Sequence, residues 1–271
     1  MKLAYSVATP DAPGPLMSFC GNFERDIRDI KAIGYDAVEL FVRDPREMDT
    51  ARVRGVIEKS GLAVAAVGTN PALVHDGLSL LADDSEVRAA AVKRVMDIID
   101  FAAVFGAPVC IGKFRGNLWG GRETEAMEEL ADMFGDICAH AAKKGISVML
   151  EPQNKASVNN FITTAEAAAW IESQGFANLG ILFDTFHADL AEASISAGIS
   201  GAGGKIGFVH CSDSDRLPPG VGAIPLTEVF AGLGAAGYDG YVSMEINQKP
   251  DSFTVAELSY KVVRYIIENC V

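Results

Sequence analysis

Short apolar runs alternate with amphipathic segments along the whole chain, and this alternation limits the folds that the chain can adopt. Apolar, β-branched runs predict strands near residues 2–7, 36–40, 62–68, 107–112, 146–150, 179–183, 205–209 and 241–244. Helical patterns lie between them, the clearest at 85–105, 123–144, 163–174 and 225–236. Because strands that alternate with helices form parallel sheets, the pattern predicts an α/β fold.

Eight strand–helix units in a chain of 271 residues match the size of a (β/α)8 TIM barrel. A doubly wound open sheet is the alternative, and it usually carries a glycine-rich turn after its first strand. Here the first strand runs into ATPDAPGP (8–15), which is rich in proline and opens no helix. With no linker-like or low-complexity segment, we expect one TIM-barrel domain over 1–271.

The composition disfavours several classes of protein. The 36 acidic residues outnumber the 23 basic ones and give a net charge of −13, which repels nucleic-acid backbones. No apolar stretch approaches the ~18 residues that span a bilayer. The five cysteines are odd in number and scattered, which favours a reducing cytoplasm over a disulfide framework.

Four consecutive predicted strands each end in a residue that can bind a metal. Glu151, Asp184, His210 and Glu245 follow these strands at separations of 33, 26 and 35 residues. A single acidic residue at the end of a strand is often only a helix cap, as Asp184 could be. Four potential metal ligands at one rim of the barrel favour a metal site. Three carboxylates and an imidazole suit one divalent ion, Mn²⁺ first, with Mg²⁺, Co²⁺ or Zn²⁺ as alternatives.

Four segments carry a resemblance to a known group: LEPQN (150–154), DTFH (184–187), VHCSDSDRLPPGVG (209–222) and GYDGYVSMEI (237–246). Over nearly its whole length the chain resembles the xylose-isomerase-like TIM barrels, the sugar phosphate isomerase/epimerase superfamily. It looks closest to the branch of D-tagatose and D-psicose 3-epimerases. The resemblance implies a metal-dependent epimerase or isomerase that acts on a small carbohydrate through an enediolate. Oligomers are common in the superfamily, so the resemblance also makes a homo-oligomer an expectation for this chain.

The resemblance also implies roles for individual residues. The same four side chains match the family's metal ligands, and Glu151 and Glu245 match its two catalytic glutamates. His187 and Arg216 match positions that contact substrate. His187 could instead orient Asp184, and Arg216 could instead pair with a nearby aspartate of its own loop.

The loops after strands four and five depart from the family pattern. Ser157 stands near the position where the epimerases carry a further substrate-binding glutamate. Lys113 and Arg115 follow strand four, and two cations at the rim of an acidic protein favour contact with an anionic group. A sugar acid, a sugar phosphate or a small keto acid such as hydroxypyruvate therefore stays open as substrate beside a free ketose.

Three further residues are candidates for the mouth of the barrel. Glu39 ends strand two, where it could bind substrate, support a ligand or pair with Arg43. Asn154 could orient Glu151 or touch a substrate hydroxyl. Trp119 could cover the pocket or pack on the surface.

Other functions share this scaffold. An inosose-type dehydratase or a hydroxypyruvate-type isomerase would differ only in its loops, and a non-catalytic sugar-binding protein would not need all four ligands.

An apurinic/apyrimidinic endonuclease would need additional histidines for three zinc ions. The chain offers only His75 after strand three, and Leu217 stands where that class carries a histidine after strand seven.

Overall fold

Eight parallel strands close into a barrel in the order of the sequence, with β8 pairing to β1. The computed structural model describes residues 1–270. The strands are β1 Lys2–Ala8, β2 Ala37–Phe41, β3 Ala63–Gly68, β4 Val109–Ile111, β5 Val148–Leu150, β6 Leu179–Asp184, β7 Ile206–Cys211 and β8 Tyr241–Met244. The prediction of a (β/α)8 barrel is confirmed.

Helices follow the strands and form the outer layer. Within the described residues they are α1 Phe23–Ile33, α2 Thr50–Ser60, α3 Asn70–Asp76, α4 Ser85–Ala103, α5 Glu123–Lys143, α6 Thr164–Gln174, α7 Thr185–Ala191, α8 Ile195–Gly201, α9 Leu226–Ala235 and α10 Ser252–Cys270. Short 3₁₀ turns occupy Pro45–Glu47, Lys113–Arg115 and Ser214–Arg216. None of the helices in residues 1–270 is both long enough and apolar enough to cross a bilayer.

Small residues line much of the inside of the barrel. Ala4, Ala37, Ala65 and Ala66 pack there with a few larger side chains. Met149 fills the space beside Gly207, where a β-carbon would come within 2.6 Å of the Met149 sulfur. The larger core lies between the strands and the helices. This packing supports the strand ends at the carboxyl side of the barrel.

The strand ends differ from the predicted ranges at functionally relevant places. The predicted strand 107–112 is limited to Val109–Ile111, because Pro108 has no N–H and Gly112 begins the 3₁₀ turn. Strands β6 and β7 extend through Asp184 and His210, and these two residues are partners in the register. Both side chains are therefore held by the sheet rather than by flexible loops.

Candidate active site

The four strand-end residues meet in one buried cluster. Glu151, Asp184, His210 and Glu245 each offer one ligand atom, and these atoms all lie within 4.8 Å of one another. His210 Nδ1 lies 3.5 Å from Asp184 Oδ2, 3.5 Å from Glu245 Oε2 and 3.6 Å from Glu151 Oε1. The imidazole nitrogen thus faces one oxygen from each of the three carboxylates.

Glu39 fixes the orientation of the imidazole. His210 Nε2 lies 3.0 Å from both carboxylate oxygens of Glu39, whose side chain is fully buried. Because a carboxylate only accepts, Nε2 carries the hydrogen, and in the neutral ring Nδ1 holds its lone pair toward the cluster. This is the arrangement in which metal-ligating histidines are usually held. Of the alternatives for Glu39, the geometry favours support of His210 over an ion pair with Arg43.

Asp184 uses its two oxygens differently. Oδ1 accepts hydrogen bonds from the backbone N–H of Phe186 and of His187 and so caps α7. Oδ2 faces the cluster and accepts from Arg216 Nη1 at 2.6 Å. The capping role that the sequence suggested therefore coexists with a position in the cluster.

Arg216 reaches the cluster from a strained turn. Asp215 and Arg216 both have a φ of 58°, in the left-handed region that these residue types seldom adopt. Nη1 of Arg216 contacts Glu245 Oε2 at 3.1 Å as well as Asp184, and its guanidinium lies 4.5 Å from the centre of the Phe186 ring. Arg216 therefore pairs with the cluster and not with the aspartates of its own loop.

The charges in the cluster shift the pKa values of its members in opposite directions. Burial raises the pKa of Asp184 and of Glu245, but Arg216, His187 and His210 together lower that of Asp184 by more, and His210 and Arg216 do so for Glu245. Both pKa values end below their usual range. Burial lowers the pKa of His210, and the neighbouring carboxylates, led by Glu39 and Glu245, raise it well above its usual value.

The donor set fits a divalent cation. Glu151 Oε1 and His210 Nδ1 are buried and have no hydrogen-bond partner. Buried polar atoms are rarely left unpaired, and both of these atoms point into the cluster. One cation among the four side chains would satisfy both atoms and balance the carboxylates. Three carboxylate oxygens and one imidazole nitrogen suit a hard or borderline ion.

The second oxygen of Glu151 is held by a residue that the sequence reasoning missed. Gln153 Nε2 donates to Glu151 Oε2 at 2.6 Å, and the Gln153 side chain is 93% buried. A β-carbon at Gly112 would overlap Glu151 Oε2 and lie 3.0 Å from Gln153 Nε2, so any larger residue there would displace the Glu151 carboxylate. The motif LEPQN contains this glutamine, but the spacing alone does not show whether Gln153 or Asn154 contacts Glu151.

Asn154 orients His187 rather than Glu151. Its Oδ1 accepts from Ala156 N at 3.0 Å, so its amide nitrogen faces His187 Nδ1 at 2.8 Å. His187 Nδ1 therefore accepts, and Nε2 carries the hydrogen of the neutral ring. Nε2 lies 3.1 Å from Arg216 Nη2, which also only donates. One acceptor oxygen that contacts both nitrogens from the cavity side would satisfy both donors. The prediction that Asn154 orients Glu151 is wrong, and Asn154 is absent from the residues that line the cavity described next.

A cavity of about 610 Å³ opens above the cluster. Its floor contains Glu39, Glu151, His210 and Glu245, and its walls include the residues Met17, Thr69, Leu73, Phe186, His187 and Arg216. Lys113 lies exposed at its edge, as predicted from the loop after strand four. This volume lies within the ~300–1,000 Å³ that is usual for small-molecule sites.

Arg115 requires a correction. The sequence suggested that its side chain binds an anionic group at the rim, but Arg115 is completely buried and does not line the cavity. Its guanidinium donates to Asn160 Oδ1 and to the carbonyl oxygens of Gly112, Glu151 and Asn160. Burial lowers its pKa to about 10. The side chain ties two loops to the Glu151 backbone and does not face the cavity above the cluster.

Trp119 does not cover this cavity. Its indole N–H donates to the carbonyl of Leu81 at 2.9 Å, and the guanidinium groups of Arg88 and Arg122 each lie 4.8 Å from its ring centre. The packing alternative considered for this residue is therefore the one that the structure supports.

Known proteins share the fold and the sequence pattern. The family model described as "Xylose isomerase-like TIM barrel" matches residues 27–264. An L-ribulose 3-epimerase of Mesorhizobium japonicum is 29% identical over 229 residues, which cover 82% of this chain and 74% of the relative. A 3-dehydro-D-guloside 4-epimerase of Escherichia coli is 26% identical over 241 residues, 84% of this chain and 88% of the relative. A solved structure of D-psicose 3-epimerase in the presence of D-fructose superposes with a TM-score of 0.83 at 21% identity, covering 98% of this chain and 99% of that one.

Proposed function

Because the chain belongs to the xylose isomerase-like TIM barrel family, we propose that it is a divalent-metal-dependent sugar epimerase that inverts a carbon next to a carbonyl. The observation that supports this most directly is the buried cluster of three carboxylates and one imidazole beneath a cavity of about 610 Å³. The relatives named as epimerases of ketoses and of a 3-dehydro-glycoside agree with the reaction type.

Glu151 and Glu245 are the proposed acid–base pair. They leave the barrel at the ends of β5 and β8, so their carboxylates reach a bound sugar from different sides. One carboxylate removes the proton next to the carbonyl, and the other returns a proton to the opposite face. Gln153 holds the second oxygen of Glu151, which leaves Oε1 directed at the cluster.

Glu151, Asp184, His210 and Glu245 are the proposed ligands of one divalent ion, and Mn²⁺ is our first candidate. When bound, such an ion polarises a carbonyl and stabilises the negative charge that follows proton removal. His187 Nε2–H and the Arg216 guanidinium are placed to donate to an oxygen of the substrate. Both hold the sugar so that the reacting C–H faces a glutamate.

An aldose–ketose isomerase or a dehydratase of the same superfamily is the second candidate, since the cluster serves either chemistry. Anionic substrates stay among the candidates because of Lys113. This lysine lies at the cavity edge and forms no ion pair within the described part of the chain. DNA repair is disfavoured by the net charge of −13. The cluster at this rim also contains one histidine, fewer than a three-zinc site needs.

Solvent exchange tests the proposal. The protein with added Mn²⁺ is incubated in D₂O with free ketoses, ketose phosphates, keto-uronic acids, hydroxypyruvate and 3-keto glycosides, and the products are followed by NMR. We expect deuterium next to a carbonyl, together with the epimeric product, for at least one sugar. Exchange with formation of an aldose would favour the isomerase, and loss of water would favour the dehydratase. Tight Mn²⁺ binding with no change in any compound would contradict the proposal.

A further inference from the structure

We propose that the substrate is a glycoside, in which the reacting keto sugar carries a second ring-sized polar unit, rather than a free monosaccharide. This inference rests on the proposed function and names its substrate class. It comes from a second cavity of about 390 Å³ beside the first.

The two cavities adjoin each other. Leu73, Lys113 and Ser157 line both of them, so the space above the cluster and the space beside it are direct neighbours. The second cavity lies over the loop after β4, and its lining includes Leu118, Trp119 and Gly120. A ligand seated on the cluster that extends past Lys113 would therefore enter the second cavity.

The first cavity alone has a size that is usual for small-molecule sites, at about 610 Å³. Together the two cavities reach the upper end of the ~300–1,000 Å³ range of ligand sites. The added space matches a second ring better than a small substituent.

The lining of the second cavity has the mixed character of a sugar subsite. Leu73, Leu118 and Val158 offer apolar contact for the C–H face of a ring. Ser157 and Asn117 offer hydrogen-bonding groups for hydroxyls, and Asn117 Oδ1 already accepts from Asn159 N, which leaves its amide N–H groups available. Lys113 stands where the two rings would join and can donate to a glycosidic or hydroxyl oxygen.

Filling the second cavity tests the inference. A β-carbon at Gly120 meets no atom within 4 Å, so Gly120→Phe can place a ring there without disturbing the cluster. Initial rates are measured with methyl 3-keto-glucoside, a 3-keto disaccharide and free D-psicose. We expect the wild type to prefer the disaccharide, and Gly120→Phe to lower kcat/KM for the disaccharide relative to D-psicose by about ten-fold or more.

Two controls separate this test from the proposed function. Gly55→Phe adds the same side chain on α2, where a β-carbon also meets no atom within 4 Å, and should leave every ratio as in the wild type. Asp83→Phe fills the cavity from the other side and should repeat the effect of Gly120→Phe. If all sugars react equally well, or a ketose phosphate reacts best, the glycoside inference is wrong although the epimerase proposal stands. If no sugar exchanges protons in the wild type, the proposed function itself fails.

Discussion

Residues of the cluster are held by partners that leave one atom of each side chain directed inward. Asp184 Oδ1 is occupied by the first turn of α7, and His210 Nε2 by Glu39. Glu151 Oε2 is occupied by Gln153. In each of these three cases the remaining atom is directed at the cluster. The arrangement is preorganised, which is the main contribution that a protein makes to such chemistry.

The two glutamates should show separate effects when each is changed to glutamine. If Glu151 and Glu245 act on opposite faces of the sugar, Glu151→Gln removes one base and leaves the other. Each variant should lose epimerisation by about 10²- to 10⁴-fold and still exchange the proton of one epimer with D₂O. NMR follows exchange and epimerisation in the same sample, and bound Mn²⁺ is measured in parallel.

A matched control for this experiment lies on the surface. Glu257→Gln changes a half-exposed glutamate of α10 that pairs only with Lys261 at 3.0 Å. It should leave both rates within about two-fold of the wild type, as is usual for surface changes. Epimerisation near the wild-type rate in either cluster variant, with metal retained, would remove that glutamate from the acid–base role.

Gly112 is a residue at which one added methyl group should slow turnover strongly. In Gly112→Ala the new carbon overlaps Glu151 Oε2 and presses on Gln153 Nε2, so Glu151 must move. We expect kcat to fall by about 10²-fold, because small displacements of a catalytic group are costly, while the secondary structure is retained. Initial rates and circular dichroism measure the two effects. Gly55→Ala, on the open face of α2, should behave as the wild type, and full activity in Gly112→Ala would contradict the positioning of Glu151.

At the level of elements, Arg115 joins the loop after β4 to the loop after β5. Four of its hydrogen bonds go to three carbonyl oxygens and one amide oxygen, and no carboxylate lies among these partners. Arg115→Ala would leave these acceptors buried without donors. We expect a loss of about 3 kcal/mol or more in the free energy of unfolding, measured in urea.

The neighbouring lysine provides the contrast. Lys113 is exposed, so Lys113→Ala should leave the free energy of unfolding within about 0.5 kcal/mol and should raise KM instead. Equal stability of Arg115→Ala and the wild type would show that other donors or water replace the guanidinium. The comparison thus separates a structural cation from one that faces the ligand.

A second network joins the 3₁₀ turn Pro45–Glu47 to α4. Asp44 accepts from Arg46 and lies 2.7 Å from Arg94 Nη2, and hydrogen bonding to Arg46 lowers its pKa from 3.8 to about 2. A lowered pKa stabilises the fold above pH 3.8, and this contribution is lost as the pH falls toward about 2. Asp44→Asn should therefore cost on the order of 2 kcal/mol at neutral pH and little near pH 2.

Urea unfolding at several pH values measures this difference. Asp132→Asn is a suitable control, since Asp132 is an exposed residue of α5 whose side chain makes no ion pair or hydrogen bond among residues 1–270. A constant difference between Asp44→Asn and the wild type from neutral to acidic pH would show that packing, and not ionisation, explains the effect.

At the level of the whole molecule, the sequence predicted what depends on periodicity and strand ends. The eight units and the meeting of Asp184 with His210 follow from alternation and from the common direction of parallel strands. The partners of Glu151 and His187 could not be predicted, because Gln153 and Asn154 are adjacent amides whose directions depend on how the following loop folds back. The burial of Arg115 likewise depends on the backbone carbonyl and the side-chain amide oxygen of Asn160, which is distant in sequence.

A bound metal should stabilise the whole barrel, because its proposed ligands come from β5, β6, β7 and the end of β8. At a free ion concentration about 100 times the dissociation constant, binding adds about 2.7 kcal/mol to the free energy of unfolding. For a domain of this size that corresponds to a rise in Tm of roughly 5–10 °C or less. Calorimetry with Mn²⁺, and after removal of divalent ions with a chelator, measures the difference.

The size of this rise should depend on pH in a defined direction. The carboxylates around His210 raise its pKa, so a proton competes with the ion for Nδ1. The rise in Tm should therefore be larger at mildly alkaline than at mildly acidic pH. His210→Gln should show a much smaller rise at either pH, whereas His140→Gln, which changes a histidine paired with Asp100 on the outer helices, should respond as the wild type does. A rise that is the same in His210→Gln and the wild type would mean that the ion binds outside the cluster, because the cluster would then have lost its nitrogen ligand without effect.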